Sequence, residues 1–238
     1  MTLYRRGSKG PEVELLQSRL RELGLYPGPL DGVFGGGTES AVKSFQRTEN
    51  LKVDGVVGAD TWKHLFPHSD IPEPALLQQA IAYRCLALTG SFETSAPVPE
   101  CFAGLSGDFD GQGLSFGSLQ WNLGQGSLQP LLLEMEQSHH LILEQLFDDC
   151  YPELMAMLET DREEQLNWAR SIQDWRFRLI EPWRGLFKTL GRSREFQEIQ
   201  VKAADQFYQA ALKLCQNYGV KSERAVALMF DIKVQNGS

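Results

Sequence analysis

The chain of 238 residues is 42% hydrophobic and 23% charged, with 23 basic against 31 acidic side chains and a net charge of −8. This usage excludes a disordered, collagen-like or coiled-coil chain, and the acidic balance argues against nucleic acid as the main partner. No stretch approaches the ~18 apolar residues of a membrane span, and no apolar run follows Arg5 and Arg6, so neither membrane insertion nor a secretory signal is expected.

Pro11 suits a first helical turn, and Val13, Leu16, Leu20 and Leu23 follow at helical spacing up to Gly24, a natural stop. A short repeat comes next. Asp31-Gly32-Val33-Phe34-Gly35 through Thr38 returns 23 residues later as Asp54-Gly55-Val56-Val57-Gly58 through Thr61. Each Asp-Gly pair predicts a tight turn, and each Thr stands where it could cap a following helix, 39–47 or 62–66. Three short helices around Leu16, Leu20, Val42, Phe45, Trp62 and Leu65 result. Three prolines between Pro67 and Pro74 break helix continuity, so residues 69–74 read as a linker. Residues 1–68 carry nine basic and eight acidic side chains, which leaves a net −9 for the remainder.

Past the linker the pattern predicts a helix over 73–90, with Leu77, Ile81, Cys85 and Leu88 on one face, Gly90 ending it and Glu93 just beyond. Residues 94–126 are rich in Gly, Ser and Pro, and their short alternation from Leu114 to Trp121 predicts loops with a small sheet. From Ser127 onward the chain reads as helical. Val201, Ala204, Tyr208, Ala211 and Cys215 form one apolar stripe, and Ala225, Leu228 and Ile232 another. The fold class is therefore mainly α, with a small three-helix module at 1–68 and an α+β domain at 75–238. Cys85, Cys101, Cys150 and Cys215 lack metal-binding spacing and read as buried free thiols. Neither metal nor cofactor is called for.

Chemistry concentrates where Glu93 follows a helix and where Asp108 and Asp110 share the glycine-rich stretch Gly107–Gly113. Glycoside cleavage uses one carboxyl to protonate the leaving oxygen and a second to activate water or attack. An Asp-x-Asp loop could also hold calcium, but the ligand ladder and terminal Glu are missing. Asp108 reads as a turn residue or a second base, and Trp121 as a sugar platform or core. His139 and His140, with Glu134, Glu136, Glu144, Glu163 and Glu164, read as helix surface. Trp168, Trp175 and Trp183 read as helical core with solvated Arg170, Arg176, Arg178 and Arg184 between them, or one of these arginines assists the active-site carboxylates.

Two resemblances add to this reading. Gly7, Gly10, Glu12, Val13, Leu16, Gln17 and Leu20, then Leu23-Gly24, Tyr26, Gly28, Asp31-Gly32, Phe34-Gly35, Thr38, Ala41-Val42 and Phe45-Gln46, and finally Asp54-Gly55, Gly58 and Thr61-Trp62 resemble the peptidoglycan-binding domain of cell-wall hydrolases over about residues 3–66. Over about 76–130, Glu93, Asp110-Gly111-Gln112-Gly113-Leu114-Ser115 and Gly124-Gln125-Gly126 resemble family-46 chitosanases of the lysozyme-like superfamily. That resemblance implies Glu93 as general acid in an apolar setting, Asp110 as general base and Ser115 holding the attacking water. The run Ser115 to Asn122 is similar to the Gly-x-x-Gln strand of lytic transglycosylases and goose-type lysozymes. It implies substrate contacts from Gln120, Trp121 and Asn122, with Asp108 and Ser127 beside them. Where chitosanases carry Arg and an ammonium-binding Asp, this chain has Gln112 and Ser127, which favours an N-acetylated glycan over chitosan.

The resemblances together imply an endolysin-like wall hydrolase acting on bacterial peptidoglycan, made without a signal peptide in a host cytoplasm and monomeric. A chitosanase, a lytic transglycosylase and a non-catalytic wall-binding protein are the alternatives. The chain stops 145 residues after Glu93, so the second domain is either minimal or truncated at Ser238.

Overall fold

A computed structural model describes residues 2–72 and 74–236. They form two compact units, Met1–Ala80 and Ile81–Ser238. The first unit extends past the expected linker, because Ile71 packs on its core and the Tyr4 hydroxyl donates to the Pro72 carbonyl at 2.6 Å.

The first unit holds α1 (Pro11–Glu22), α2 (Gly36–Thr48) and α3 (Ala59–Leu65). Pro11 begins α1, and Gly24 ends it in a left-handed conformation while the Leu25 N–H reaches back to the Leu20 carbonyl. The expected core residues Leu16, Leu20, Val42, Phe45, Trp62 and Leu65 are all buried, joined by Tyr4, Phe34 and Val57.

The repeat is structural at the level of single atoms. Gln17, fully buried on α1, donates from Nε2 to Asp31 Oδ1, the Val33 carbonyl and Thr38 Oγ1, and accepts at Oε1 from the N–H groups of Asp31 and Gly32. Gln46 on α2 repeats all five bonds with Asp54, Val56, Thr61, Asp54 and Gly55. Each amide thus fastens an Asp-Gly turn whose glycine sits at positive φ. The threonines are not caps. Thr38 and Thr61 lie inside their helices, which start at Gly36 and Ala59, and their hydroxyls accept from the glutamines.

A 3-10 turn, Ala75–Gln78, lies at the end of the first unit, and the second begins with α4 (Ile81–Glu93). The helix expected from 73 therefore starts later, and Glu73 lies outside the described residues. It also runs through Gly90 instead of stopping there. A Cβ at Gly90 would come within 2.6 Å of Ser118 Cβ, so this glycine serves close packing. The buried face of α4 is Cys85, Leu86, Thr89 and Gly90, whereas Leu77 and Leu88 are exposed.

A three-stranded antiparallel sheet follows in the order β1 (Leu105–Ser106), β2 (Ser115–Phe116), β3 (Trp121–Asn122). Then come α5 (Gln129–Phe147), α6 (Tyr151–Leu158), α7 (Arg162–Ser171), α8 (Trp183–Arg192), α9 (Arg194–Ala203), α10 (Asp205–Asn217) and α11 (Glu223–Asn236). The stripe from Val201 to Cys215 spans the break between α9 and α10. On α11 the buried residues are Val226 and Phe230, with Leu228 and Ile232 exposed, so the expected stripe is displaced around the helix. Cys85, Cys101 and Cys215 are buried free thiols and Cys150 is half-buried. Burial pushes Cys85 and Cys101 up to about 11. Among the described residues no helix is long and apolar enough to cross a membrane.

Candidate functional site

The small sheet has two unlike faces. Register pairs Leu105 with Phe116 and Phe116 with Trp121 on one side. Phe116 is fully buried against Phe187 and Phe196, and Trp121 belongs to the same core, so Trp121 fills the interior and is no sugar platform. The alternate residues Ser106, Ser115 and Asn122 form a polar row across the other face.

Glu93 and Asp110 flank this sheet. Glu93 is the last residue of α4, whose Gly90 seats on Ser118 in the β2–β3 turn; the next residue, Thr94, lies against Gly104. Its carboxylate is exposed and accepts from Gln235 Nε2 on α11. No apolar pocket surrounds it, contrary to the expected setting; the C-terminal helix supplies an amide instead. Asp110 lies in the β1–β2 connection, exposed, with Oδ1 accepting from the Gln112 N–H at 3.1 Å. Ser115, on β2, is buried, and among the described residues its hydroxyl has no hydrogen-bond partner.

The loop bearing Asp110 is clamped by Gln173, which sequence reasoning missed, and by Arg170, one of the arginines open to a role beside the carboxylates. Gln173 accepts from the Asp108 N–H at 2.8 Å and donates to the Gly113 carbonyl, bracketing the turn. Arg170 Nε donates to Asp108 Oδ2 at 2.6 Å, and Asp108 Oδ1 accepts from the Gly113 N–H at 2.6 Å. With both oxygens engaged, Asp108 is a loop anchor and not a second base. Arg170 thus reaches this loop from α7, while among the described residues Gln112 Oε1 is buried without a hydrogen-bond partner. A helical periodicity search reads Arg170 as solvated surface and gives no signal for this contact.

Gln120 and Ser127 are likewise committed to backbone shape. Gln120, at positive φ, accepts from Ser106 Oγ and donates to the Gly117 carbonyl. Ser127 Oγ accepts from the Asn122 N–H at 2.9 Å, and Asn122 Oδ1 accepts from the Gln125 N–H. Among these five expected substrate contacts, Asn122 lies on the polar face beside Ser115. The tryptophans divide. Trp183 is core with Trp168 edge-on to it at 5.0 Å, but Trp175 is 80% exposed in the loop between α7 and α8. His140 is exposed, bonded to Glu136 and Tyr151, next to a non-helical His139 that kinks α5. Among the described residues no group of three His, Cys, Asp or Glu could hold a metal ion.

Residues 9–65 match the family described as "Putative peptidoglycan binding domain". The match lies within the first unit. Over 59 residues the chain is 51% identical to a spore cortex-lytic enzyme of Bacillus cereus, covering 25% of this chain and 23% of that enzyme. A solved SleB N-terminal domain is 45% identical over 28% of this chain and 90% of its own length, with a TM-score of 0.27. A Burkholderia AP3 phage endolysin structure aligns with 98% of this chain and 96% of its own, at 15% identity and a TM-score of 0.27, a likeness that carries nothing about the second unit. The chain spans about a quarter of the length of the curated relatives it matches first.

Proposed function

We propose that this chain is a cell-wall hydrolase in which the first unit binds peptidoglycan and the second cleaves its β-1,4 glycosidic bonds. Holding the enzyme on an insoluble glycan raises the local concentration of bonds at the second unit. The observation that carries the reading is one small sheet flanked by two exposed carboxylates, Glu93 and Asp110, with the buried Ser115 on its polar row.

In the proposed reaction Glu93 gives its proton to the glycosidic oxygen as the C1–O bond breaks and the electron pair passes to that oxygen. Asp110 takes a proton from a water held by Ser115, and the water oxygen bonds to C1 from the opposite face. The anomeric configuration therefore inverts, which requires the carboxylates to stand roughly 6.5–9.5 Å apart around the substrate. Arg170 and Gln173 do not touch the reacting atoms. They fix the backbone from Asp108 to Gly113 and hold the base in place.

Glu93→Gln tests the reading. The variant is expected to pellet with purified walls like the parent protein while releasing no reducing ends. Undiminished release by this variant overturns the assignment. Newly freed amino groups in place of reducing ends would mark an amidase, and 1,6-anhydro ends a transglycosylase.

A further inference from the structure

The loop between α7 and α8 is built to hold an aromatic ring in solvent. Asp174 Oδ1 accepts the N–H groups of Arg176 and Arg178 at 2.8 and 3.0 Å, and its Oδ2 receives the Arg178 guanidinium. The Asp174 carbonyl accepts from the Phe177 N–H, and Phe177 is held at φ 57, a conformation that bulky side chains rarely adopt. A bridge between Gln173 and Leu179 closes the base. Yet the product of this bonding is Trp175 at 80% exposure, an arrangement that gives stability no apolar burial.

This loop touches the one that bears Asp110. A Cβ at Gly107 would meet the Phe177 carbonyl and the Gln173 amide, so the two backbones are in contact there. Gln173 joins them again through the Asp108 N–H and the Gly113 carbonyl. The Arg176 guanidinium lies 4.4 Å from the Trp175 ring centre and so covers one indole face, leaving the other open. Arg178 and Arg184 are paired with Asp174 and Glu181, whereas Arg176 has no carboxylate partner among the described residues.

We propose that Trp175 and Arg176 form a glycan subsite beside the Asp110 loop, with the occupant a strand of N-acetylated amino sugars bearing carboxylate substituents. The open indole face stacks on the apolar C–H face of a sugar ring, and the guanidinium edge pairs with a carboxylate of the attached peptide. Arg176 thereby separates a peptide-bearing strand from an uncharged amino-sugar polymer such as chitin. The inference rests on the hydrolase reading for its choice of occupant, but its test reads binding and not turnover.

The experiment uses the full chain carrying Glu93→Gln and follows quenching of tryptophan emission by neutral acrylamide. Trp62, Trp121 and Trp183 are buried and Trp168 is half-buried, so Trp175 at 80% exposure dominates the quenchable signal and the Trp175→Ala protein supplies the background. The probes are a soluble disaccharide-tetrapeptide wall fragment and an N-acetylglucosamine tetramer. Both are expected to shield the indole. In the variants that lack this reporter, binding is read by titration calorimetry: Trp175→Ala should weaken both probes by about tenfold, with Trp175→Phe restoring most of it. Arg176→Gln should weaken the peptide-bearing probe alone. Failure of both probes to shield Trp175 overturns the subsite, and so does equal weakening of both probes in Arg176→Gln. If the subsite fails while the parent protein still releases reducing ends from walls, the hydrolase reading stands. If shielding occurs and no reducing ends appear, the hydrolase reading fails instead.

Discussion

The two units use the same side chain for opposite ends. In the first, Gln17 and Gln46 are buried and share the same five bonds to their Asp-Gly turns and threonines, with a sixth from Gln17 to the Tyr26 hydroxyl. In the second, Gln173 brackets a glycine turn in the same manner, donating to one backbone carbonyl and accepting from one N–H, but the carboxylate at the tip of that turn remains exposed. A closed amide hub stabilises a module; an open one, on the proposed reading, holds a reactive group in position. Stability and chemistry are thus separated along the chain, and substitutions in each unit should have separable effects.

The largest effect is expected at the open end. Asp110→Asn removes the proposed base, and general base catalysis is worth about 10²–10⁴ in rate. Reducing-end release should fall within that range while thermal unfolding stays unchanged. A variant retaining more than a tenth of parental rate would assign the base elsewhere.

Second comes the closed hub. Gln46→Ala leaves the buried Gly55 N–H without its acceptor and the Val56 carbonyl and Thr61 hydroxyl without their donor, while the Asp54 N–H keeps only the Lys52 carbonyl. At about 1–3 kcal/mol for each unmet buried group, the first unit should lose roughly 2–4 kcal/mol and pelleting with walls should fail near its new melting temperature. Cleavage of a soluble oligosaccharide by the same protein should persist. Loss of both together would mean that the two units do not unfold independently.

Third is the clamp. Arg170→Ala frees Asp108 and, through it, the Gly113 N–H. Because Arg170 is itself half-exposed, the stability cost should be small, about 1 kcal/mol or less. Misplacing the Asp110 loop should still lower kcat about tenfold with little change in KM, since a small displacement from productive geometry is costly. Arg170→Lys should recover part of the rate. A loss confined to KM would make Arg170 a substrate contact and not a positioning residue.

What the sequence made legible follows from what periodicity can detect. The core of the first unit and both Asp-Gly turns were readable because apolar spacing and glycine have few alternative uses. Gln17, Gln46, Gln173 and Gln200 were not. A glutamine in a helix reads as solvent-facing, whereas Gln200 is buried and ties Ser118 to the Phe102 carbonyl across 82 and 98 residues of chain. The helix through Gly90 was misjudged for a related reason: tertiary approach of Ser118 outweighed the usual cost of a helical glycine. Trp175 was placed in the core on hydrophobicity alone, and only the hydrogen bonds of Asp174 account for its presentation to solvent.

The smallest expected effect sharpens the comparison through pH. The Gln17 amide, then the Val33 N–H, hold Asp31 below the usual carboxylate range; the Val56 N–H, then the Gln46 amide, do so for Asp54, with the exposed Lys52 ammonium adding a smaller, salt-sensitive share. A lowered folded value means that stability is present above the unfolded value near ~3.9 and is lost as pH falls through the folded one. In the second unit the lowered carboxylates Glu100, Asp174, Glu181 and Glu223 lean first on Arg192, Arg178, Arg184 and Arg84. Salt screens such ion pairs but hardly affects hydrogen bonds from neutral amides. Below about pH 4 both units should therefore weaken, and added salt should blunt the acid sensitivity of the second more than that contributed by Asp31 and Asp54 in the first. The Trp62 indole N–H resonance reports the first unit by NMR, and Asp31→Asn with Asp54→Asn should flatten its acid response. A response equally sensitive to salt in both units would mean that charge pairs, and not the glutamine hubs, set the acid limit of the wall-binding module.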